Sequence, residues 1–220
     1  MNEFRTIELK KGIYEKNNEV AQKTREKLTK QNTMLLNVMS SPGSGKTTFI
    51  VETIKALRGE MNIAVMEADV DSAVDAEVVA ETGAQVIQLH TGGMCHLDAD
   101  MTWQGIESLD AQNVDLIILE NIGNLICTAG YDTGAHKSMT ILSVPEGDDK
   151  PLKYPKMYQI TDVLVISKMD TLPVFDFDME ACVSQAKKLN PNIEIFPVSA
   201  KTGEGMEEWL SWLRQSVTNK

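Results

Sequence analysis

The chain has 220 residues, with 21 Lys and Arg against 32 Asp and Glu, a formal net charge of −11 at pH 7. That balance argues against a broad nucleic-acid face, which needs clustered cations. The 42% hydrophobic and 24% charged residues describe a globular chain of a size for one large domain. Three cysteines, Cys95, Cys127 and Cys182, are odd in number and far apart, which speaks against a disulfide framework and for a reducing compartment. No run approaches the ~18 uninterrupted apolar residues of a membrane span. The start MNEFRTIELKKG has no apolar signal-peptide core, so a cytoplasmic protein without membrane or nucleic-acid partners is expected.

Residues 1–33 hold 8 basic against 5 acidic residues, a local excess of +3 in an acidic chain. The stretch YEKNNEVAQKTREKLTKQN is strongly helix-forming, with Ile13, Val20, Ala21 and Leu28 as a thin apolar stripe. It reads as a helical extension, either packed on one edge of the domain or free to dock a partner.

From Met34 to residue 220 a second pattern takes over. Seven short apolar runs follow one another: MLLNVM (34–39), NIAVME (62–67), QVIQLH (85–90), VDLIILE (114–120), MTILSV (139–144), VLVISK (163–168) and IEIFPVS (193–199). Their near-continuous hydrophobicity and β-branched content fit strands covered on both faces. Helical patterns fall between most of them: TTFIVETIKALRG, DAEVVAETG, LDADMTWQGIESLDAQ, DMEACVSQAKKLN and GMEEWLSWLRQSV. Strands alternating with helices predict an α/β domain with a mainly parallel sheet and helices on both faces.

The first run leads into Ser40-Ser41-Pro42-Gly43-Ser44-Gly45-Lys46-Thr47-Thr48 and then directly into a helix. This is the phosphate-loop pattern G-x-x-x-x-G-K-[ST] with Ser40 at the first Gly position. Backbone N–H groups of Gly43 to Thr47 can wrap a β-phosphate, because glycine admits close approach and the helix N-terminus adds a positive dipole. Lys46 would bridge the β- and γ-phosphates and the Thr47 hydroxyl would meet Mg2+. Strand before and helix after are the context this motif requires, so a P-loop nucleoside triphosphatase is expected.

Base choice is read near the other end. Ser167-Lys168-Met169-Asp170 and Ser199-Ala200-Lys201 each end a strand run and together resemble the NKxD and SAK elements of GTPases. A carboxylate at Asp170 can accept two hydrogen bonds from guanine, a donor pair that adenine lacks. The Lys168 stem can lie over the base, and the Ala200 N–H can donate to O6. Ser167 stands where an Asn side chain usually braces the loop, so weaker affinity than a full motif gives is expected. Between these segments, Asp69 at the end of the second run, Asp75 at the next helix start and Glu120 at the end of the fourth run face the phosphates. They are candidates for holding Mg2+ or orienting the attacking water. Asp75 doubles as a candidate helix cap, and Asp71 reads as solvated.

Cys95 and His96 are adjacent in TGGMCHLDADM, and Cys127 follows Glu120 by seven residues in ENIGNLICTAG. Two thiolates and an imidazole suit Zn2+ or Ni2+. Adjacent residues serve one metal only from a turn, which Thr91-Gly92-Gly93 permits, and a two-fold axis could complete the shell with a second set. The same residues also read as core or loop packing, as do Cys182, His90 and His136.

The segments SSPGSGKTT, TGGMCHLDADM, ENIGNLIC and VPEGDDKPLKYPKM, in this order, resemble the HypB family of hydrogenase nickel-incorporation GTPases of the SIMIBI class. The resemblance covers residues 34–217. It implies GTP hydrolysis to GDP, GTP-promoted homodimerisation, and a nickel or zinc ion held at the dimer interface by Cys95, His96 and Cys127. It further implies nickel delivery to a hydrogenase large-subunit precursor with a HypA-type metallochaperone as partner. Three other readings compete. Accessory GTPases of B12 enzymes would need no Cys-His-Cys set. Urease accessory GTPases usually place Cys-Pro-His where this chain has Met94-Cys95-His96. A passive metal-binding module would use the nucleotide only to set its oligomeric state.

Overall fold

A computed structural model of the chain describes residues 9–69, 74–109 and 113–219. Seven strands lie within two residues of the apolar runs: β1 (Met34–Ser40), β2 (Ile63–Asp69), β3 (Gln85–His90), β4 (Leu116–Glu120), β5 (Lys137–Ser143), β6 (Val163–Ser167) and β7 (Glu194–Pro197). They form one parallel sheet in the order β3-β2-β4-β1-β5-β6-β7. The helices are α1 (Leu9–Lys30), α2 (Lys46–Leu57), α3 (Val74–Ala80), α4 (Ala99–Ser108), α5 (Lys150–Lys153), α6 (Pro155–Ile160), α7 (Met179–Leu189) and α8 (Met206–Thr218). The expected mainly parallel α/β architecture holds, and every strand pair is in fact parallel.

Strand alternation divides the core. Met34, Leu36 and Val38 of β1, with Leu116, Ile118, Val163 and Val165, pack against α2 and α8. There Trp209 stacks with Trp212 and donates its indole N–H to Thr53 Oγ1 at 3.0 Å. The alternate residues Leu35, Ile117 and Leu119 lie with Leu28 and Ile106 under α1 and α4, and Leu164 and Ile166 lie with Met157 and Cys182 under α6 and α7. Each fully buried Leu or Ile contributes about 1.5–3 kcal/mol. The strands β1, β4 and β6 are buried throughout, whereas β3 and β7, at the two edges, are partly exposed. That is why QVIQLH carries Gln residues.

The helix expected before the sheet is α1, and it packs on α4 and β1. Its buried face is Asn17, Ala21, Thr24 and Leu28; Val20 is half-buried, and the side chain of Ile13 lies outside the described residues. Arg25 makes a two-pronged ion pair with Asp132, 2.9 and 3.0 Å, and also donates to the Ala135 carbonyl. The loop after Asp132 presses on α1, since a Cβ on Gly134 would come within 2.9 Å of the Thr24 Cβ. His136 is structural: the Leu35 N–H donates to Nδ1 at 3.0 Å, and Nε2 meets Thr29 Oγ1 at 2.9 Å. The Thr29 hydroxyl gives its proton to the Arg25 carbonyl, so the imidazole is the donor at Nε2. Asp71 and the expected helix tail over 110–112 lie outside the described residues. Among the described residues no helix is long and apolar enough to cross a membrane.

Candidate functional site

The turn between β1, the central strand, and α2 carries the phosphate-loop motif. Gly43 (φ 75°) and Gly45 (φ 90°) adopt the left-handed backbone that glycine allows without strain, and α2 begins at Lys46. Ser40, at the position usually held by Gly, is fully buried. It accepts a hydrogen bond from Ser44 Oγ at 2.7 Å and donates to the Ser41 carbonyl at 2.7 Å, bracing the loop from inside. Thr47 is half-buried beside the carboxylates, and Thr48 is exposed on the first turn of α2.

The elements expected to read the base converge on this loop from the ends of β6 and β7. Lys168 is itself left-handed (φ 59°), and its Nζ donates to the Gly43 carbonyl at 2.7 Å, so its stem crosses the phosphate loop beside Gly45. The buried Ser167 hydroxyl donates to the Ser44 carbonyl at 2.7 Å. Ser167 thus supplies a brace of the kind that its departure from Asn put in question. Asp170 Oδ1 accepts from Ser199 Oγ at 2.8 Å, and Lys201 Nζ stands 3.8 Å from Oδ2. Ser199 also accepts from the Thr202 N–H, while Ala200 follows it in a tight loop where a Cβ on Gly205 would strike the Pro197 carbonyl. A carboxylate oriented in this way can receive two parallel N–H donors.

Carboxylates come in from β2 and β4. The period of two puts Glu120 and Glu67 on the face that carries Ile118 and Val65, facing the start of α2, and the two are opposite each other in the β2–β4 register. Glu120 accepts from Thr47 Oγ1 at 3.1 Å and lies 3.7 Å from Lys46 Nζ, with both charged side chains nearly buried. Burial first, then the neighbouring Glu120 charge, raises the Glu67 carboxyl far above the carboxylate range. Glu120 is also raised by burial, against the pull of Lys46. Burial thus favours the neutral form of both carboxyls, and the Lys46 charge draws both back toward the ionised form, Glu120 most directly. Asp75, exposed in the first turn of α3, adds negative charge to both. Asp69 ends β2 two residues beyond Glu67. Glu67 Oε1 and Glu120 Oε2 are buried without a hydrogen-bond partner. Two orphaned carboxylate oxygens beside a threonine hydroxyl are the donor set of a hard, oxygen-seeking cation such as Mg2+. The strand-end position singles out Asp69 in the sequence, whereas the structure adds Glu67, a lone carboxylate inside an apolar run.

The thiols lie on two loops of the same end of the sheet. Thr91-Gly92-Gly93 forms the expected turn: Gly92 and Gly93 have φ of 62° and 92°, and Thr91 Oγ1 donates to the Met94 carbonyl at 2.7 Å. Cys95 is exposed, and its Sγ stands 3.9 Å from His96 Nδ1. Cys127 reaches the same place, and the contact with Cys95, ahead of burial, pushes its thiol up. Burial pushes His96 down, against the Asp98 charge, and its ring lies flat on Tyr131 at 4.0 Å and 12°. Cys95 thus neighbours both His96 and Cys127, yet among the described residues no group of three or more His, Cys, Asp or Glu is placed to hold a metal ion. Asn124 Oδ1 shapes the Cys127 loop by accepting from the N–H groups of Ile126 and Cys127 at 2.8 and 2.9 Å. Cys182 is buried under α7, as a packing thiol should be, while His90 is exposed at the end of β3.

A glycine-bearing phosphate loop after the central strand of a parallel sheet, with carboxylates and the Lys168 and Asp170 loop at the carboxyl ends of other strands, defines a P-loop nucleoside triphosphatase. Residues 34–197 match the family model "CobW/HypB/UreG, nucleotide-binding domain". The chain is 42% identical to the hydrogenase maturation factor HypB of Rhizobium leguminosarum over 220 residues, which is all of this chain and 74% of that protein. It superimposes on HypB of Helicobacter pylori, crystallised in complex with nickel, with a TM-score of 0.87 at 36% identity over 93% of this chain and 96% of the other. It superimposes on HypB of Archaeoglobus fulgidus with a TM-score of 0.86 at 37% identity, over 92% and 98%. The chain belongs to the HypB family.

Proposed function

We propose that this protein is a GTP-hydrolysing metallochaperone that carries nickel, or zinc, on Cys95, His96 and Cys127 and assists nickel insertion during maturation of a nickel–iron hydrogenase. In this reading residues 34–220 are the GTPase domain and residues 1–33 its helical extension. It works in the cytoplasm as a GTP-promoted homodimer, with a HypA-type metallochaperone and the hydrogenase large-subunit precursor as partners. The names of its relatives and the nickel complex of one of them support the assignment.

Each residue group then has a task. Backbone N–H groups of Gly43, Ser44, Gly45, Lys46 and Thr47 hold the phosphates, and Lys46 places its charge where negative charge builds on the transferring group. Lys168, Asp170, Ser199, Ala200 and Lys201 hold guanine. Thr47 and Glu120, with Asp69, Asp75 and Glu67 around them, would hold Mg2+ and order the attacking water. Magnesium, when bound, supplies the countercharge for the phosphate oxygens.

The observation that carries the reading is the position of Cys127. It shares one loop with Glu120, and its thiol reaches Cys95 from the other ligand-bearing loop. Conversion of GTP to GDP then alters the hold on Glu120, moves the loop and changes the cargo site, so hydrolysis is a release switch. The exposed apolar side chains of Ile126 (69%) and Met94 (40%), each next to a cysteine ligand, support a second copy covering this end. Nickel and zinc titrations of the apo, GDP and GTP-analogue forms, with the mass of the assembly measured in parallel, test it. One shared metal per dimer in the GTP-analogue form is expected, with weaker binding in the GDP form. Nucleotide-independent binding to a monomer would contradict the reading.

A further inference from the structure

We propose that Asn17 is a positioning residue of the metal site: from α1 it ties together the two loops that carry the ligands. The proposal rests on reading Cys95, His96 and Cys127 as those ligands.

Asn17 is 9% exposed, and both ends of its amide are used. Oδ1 accepts from the backbone N–H of Ala99 at 2.9 Å, and Nδ2 donates to the backbone carbonyl of Asp132 at 2.9 Å. Ala99 stands three residues after His96, and Asp132 five residues after Cys127. One planar group thus sets the distance between the segment leaving Cys95-His96 and the segment leaving Cys127. Bonds of this kind weaken steeply beyond about 3.2 Å, so the separation is fixed to a few tenths of an ångström. A second tie runs beside it. Tyr14 of α1 lies on Tyr131 at 5.2 Å, and Tyr131 in turn carries His96.

Packing alone does not call for an amide here. Two of the other inward positions of α1 are apolar, Ala21 and Leu28, and bury without directional bonds. A buried amide with two long-range backbone partners specifies geometry, and a metal site needs its ligands held to within about 0.5 Å. The basic first helix is thereby a working part of the cargo site, placed to hold the two loops in register when the nucleotide loop moves.

Cobalt(II), added to the purified full chain in the presence of a GTP analogue, tests this, because its thiolate charge-transfer and d–d bands report ligand number and geometry. Asn17→Leu removes both bonds, and Asn17→Asp keeps only the acceptor for Ala99. Asn17→Leu is expected to weaken cobalt binding about 10-fold or more and to shift the bands. Asn17→Asp should give an intermediate effect, and GTP affinity should stay at the wild-type value in both. If Asn17→Leu is too unstable to bind GTP, the Asp variant, which keeps one bond, decides by the same bands. Wild-type affinity and bands in both variants, with both lost in Cys95→Ala, would overturn the positioning role alone. Wild-type bands in Cys95→Ala would overturn the ligand reading and the proposal with it.

Discussion

Gly123 lies so close to Pro42 of the phosphate loop that a Cβ on residue 123 would stand 3.0 Å from the Pro42 nitrogen and 3.1 Å from its Cγ. The stretch from Glu120 to Cys127 therefore rests on the nucleotide loop midway along its course. A shift of the phosphate loop has a direct mechanical route toward the Cys127 thiol.

Gly123→Ala should jam that contact. Overpacking costs about 1–3 kcal/mol, read as a lower melting temperature. More specifically, the difference in nickel affinity between the GDP and GTP-analogue forms should shrink while nickel still binds. Calorimetric titration of both forms measures it, and an unchanged difference would remove this contact from the relay.

Ser167→Ala leaves the buried Ser44 carbonyl without its donor. The expected cost is about 1 kcal/mol of stability and a several-fold weaker hold on both GTP and GDP, since the brace serves the loop and not the base. Fluorescent-nucleotide binding and thermal melting check it together. An effect confined to base discrimination would contradict this assignment.

Lys46→Ala should abolish turnover, because it removes the buried ammonium beside Glu120 that would stabilise charge on the transferring phosphoryl group. Asp170→Asn should instead weaken GTP by about 10-fold or more, and leave ATP at its weak starting value, because a charge-assisted pair of bonds is lost. Competition binding with both nucleotides separates the two cases; an equal loss for ATP and GTP would defeat the guanine assignment.

Much of this was legible in the sequence for physical reasons. The strands announce themselves because both faces of a parallel sheet are buried, and the phosphate loop does so because its spacing is set by the ligand. What escaped depends on residues far apart in the chain. Glu67 gains its meaning from standing opposite Glu120 across β2 and β4, a register no local pattern encodes. The Ser167 brace depends on Ser44, 123 residues away, and in sequence Asn17 is indistinguishable from the other polar residues of a solvated helix. The segment KPLKYPKM carries no helical periodicity, yet it leads into α5 and α6, each opened by a proline in its first turn.

The cysteines should differ in reactivity. Burial pushes the Cys182 thiol up to about 12, so at pH 8 it is protonated as well as enclosed, and only the thiolate is a nucleophile. Iodoacetamide at pH 8 should modify the exposed Cys95 and spare Cys182 until the chain unfolds. Peptide mass mapping reads the result, and early labelling of Cys182 would contradict the packing described here.

The decisive measurement is nickel binding by the GTP-analogue-loaded protein with and without the Cys127 thiol, followed by equilibrium dialysis and native mass spectrometry. If the loop from Glu120 to Cys127 couples nucleotide to cargo, Cys127→Ala should lose nickel while keeping wild-type GTP affinity. Unchanged nickel binding in Cys127→Ala would contradict the coupling of the two sites.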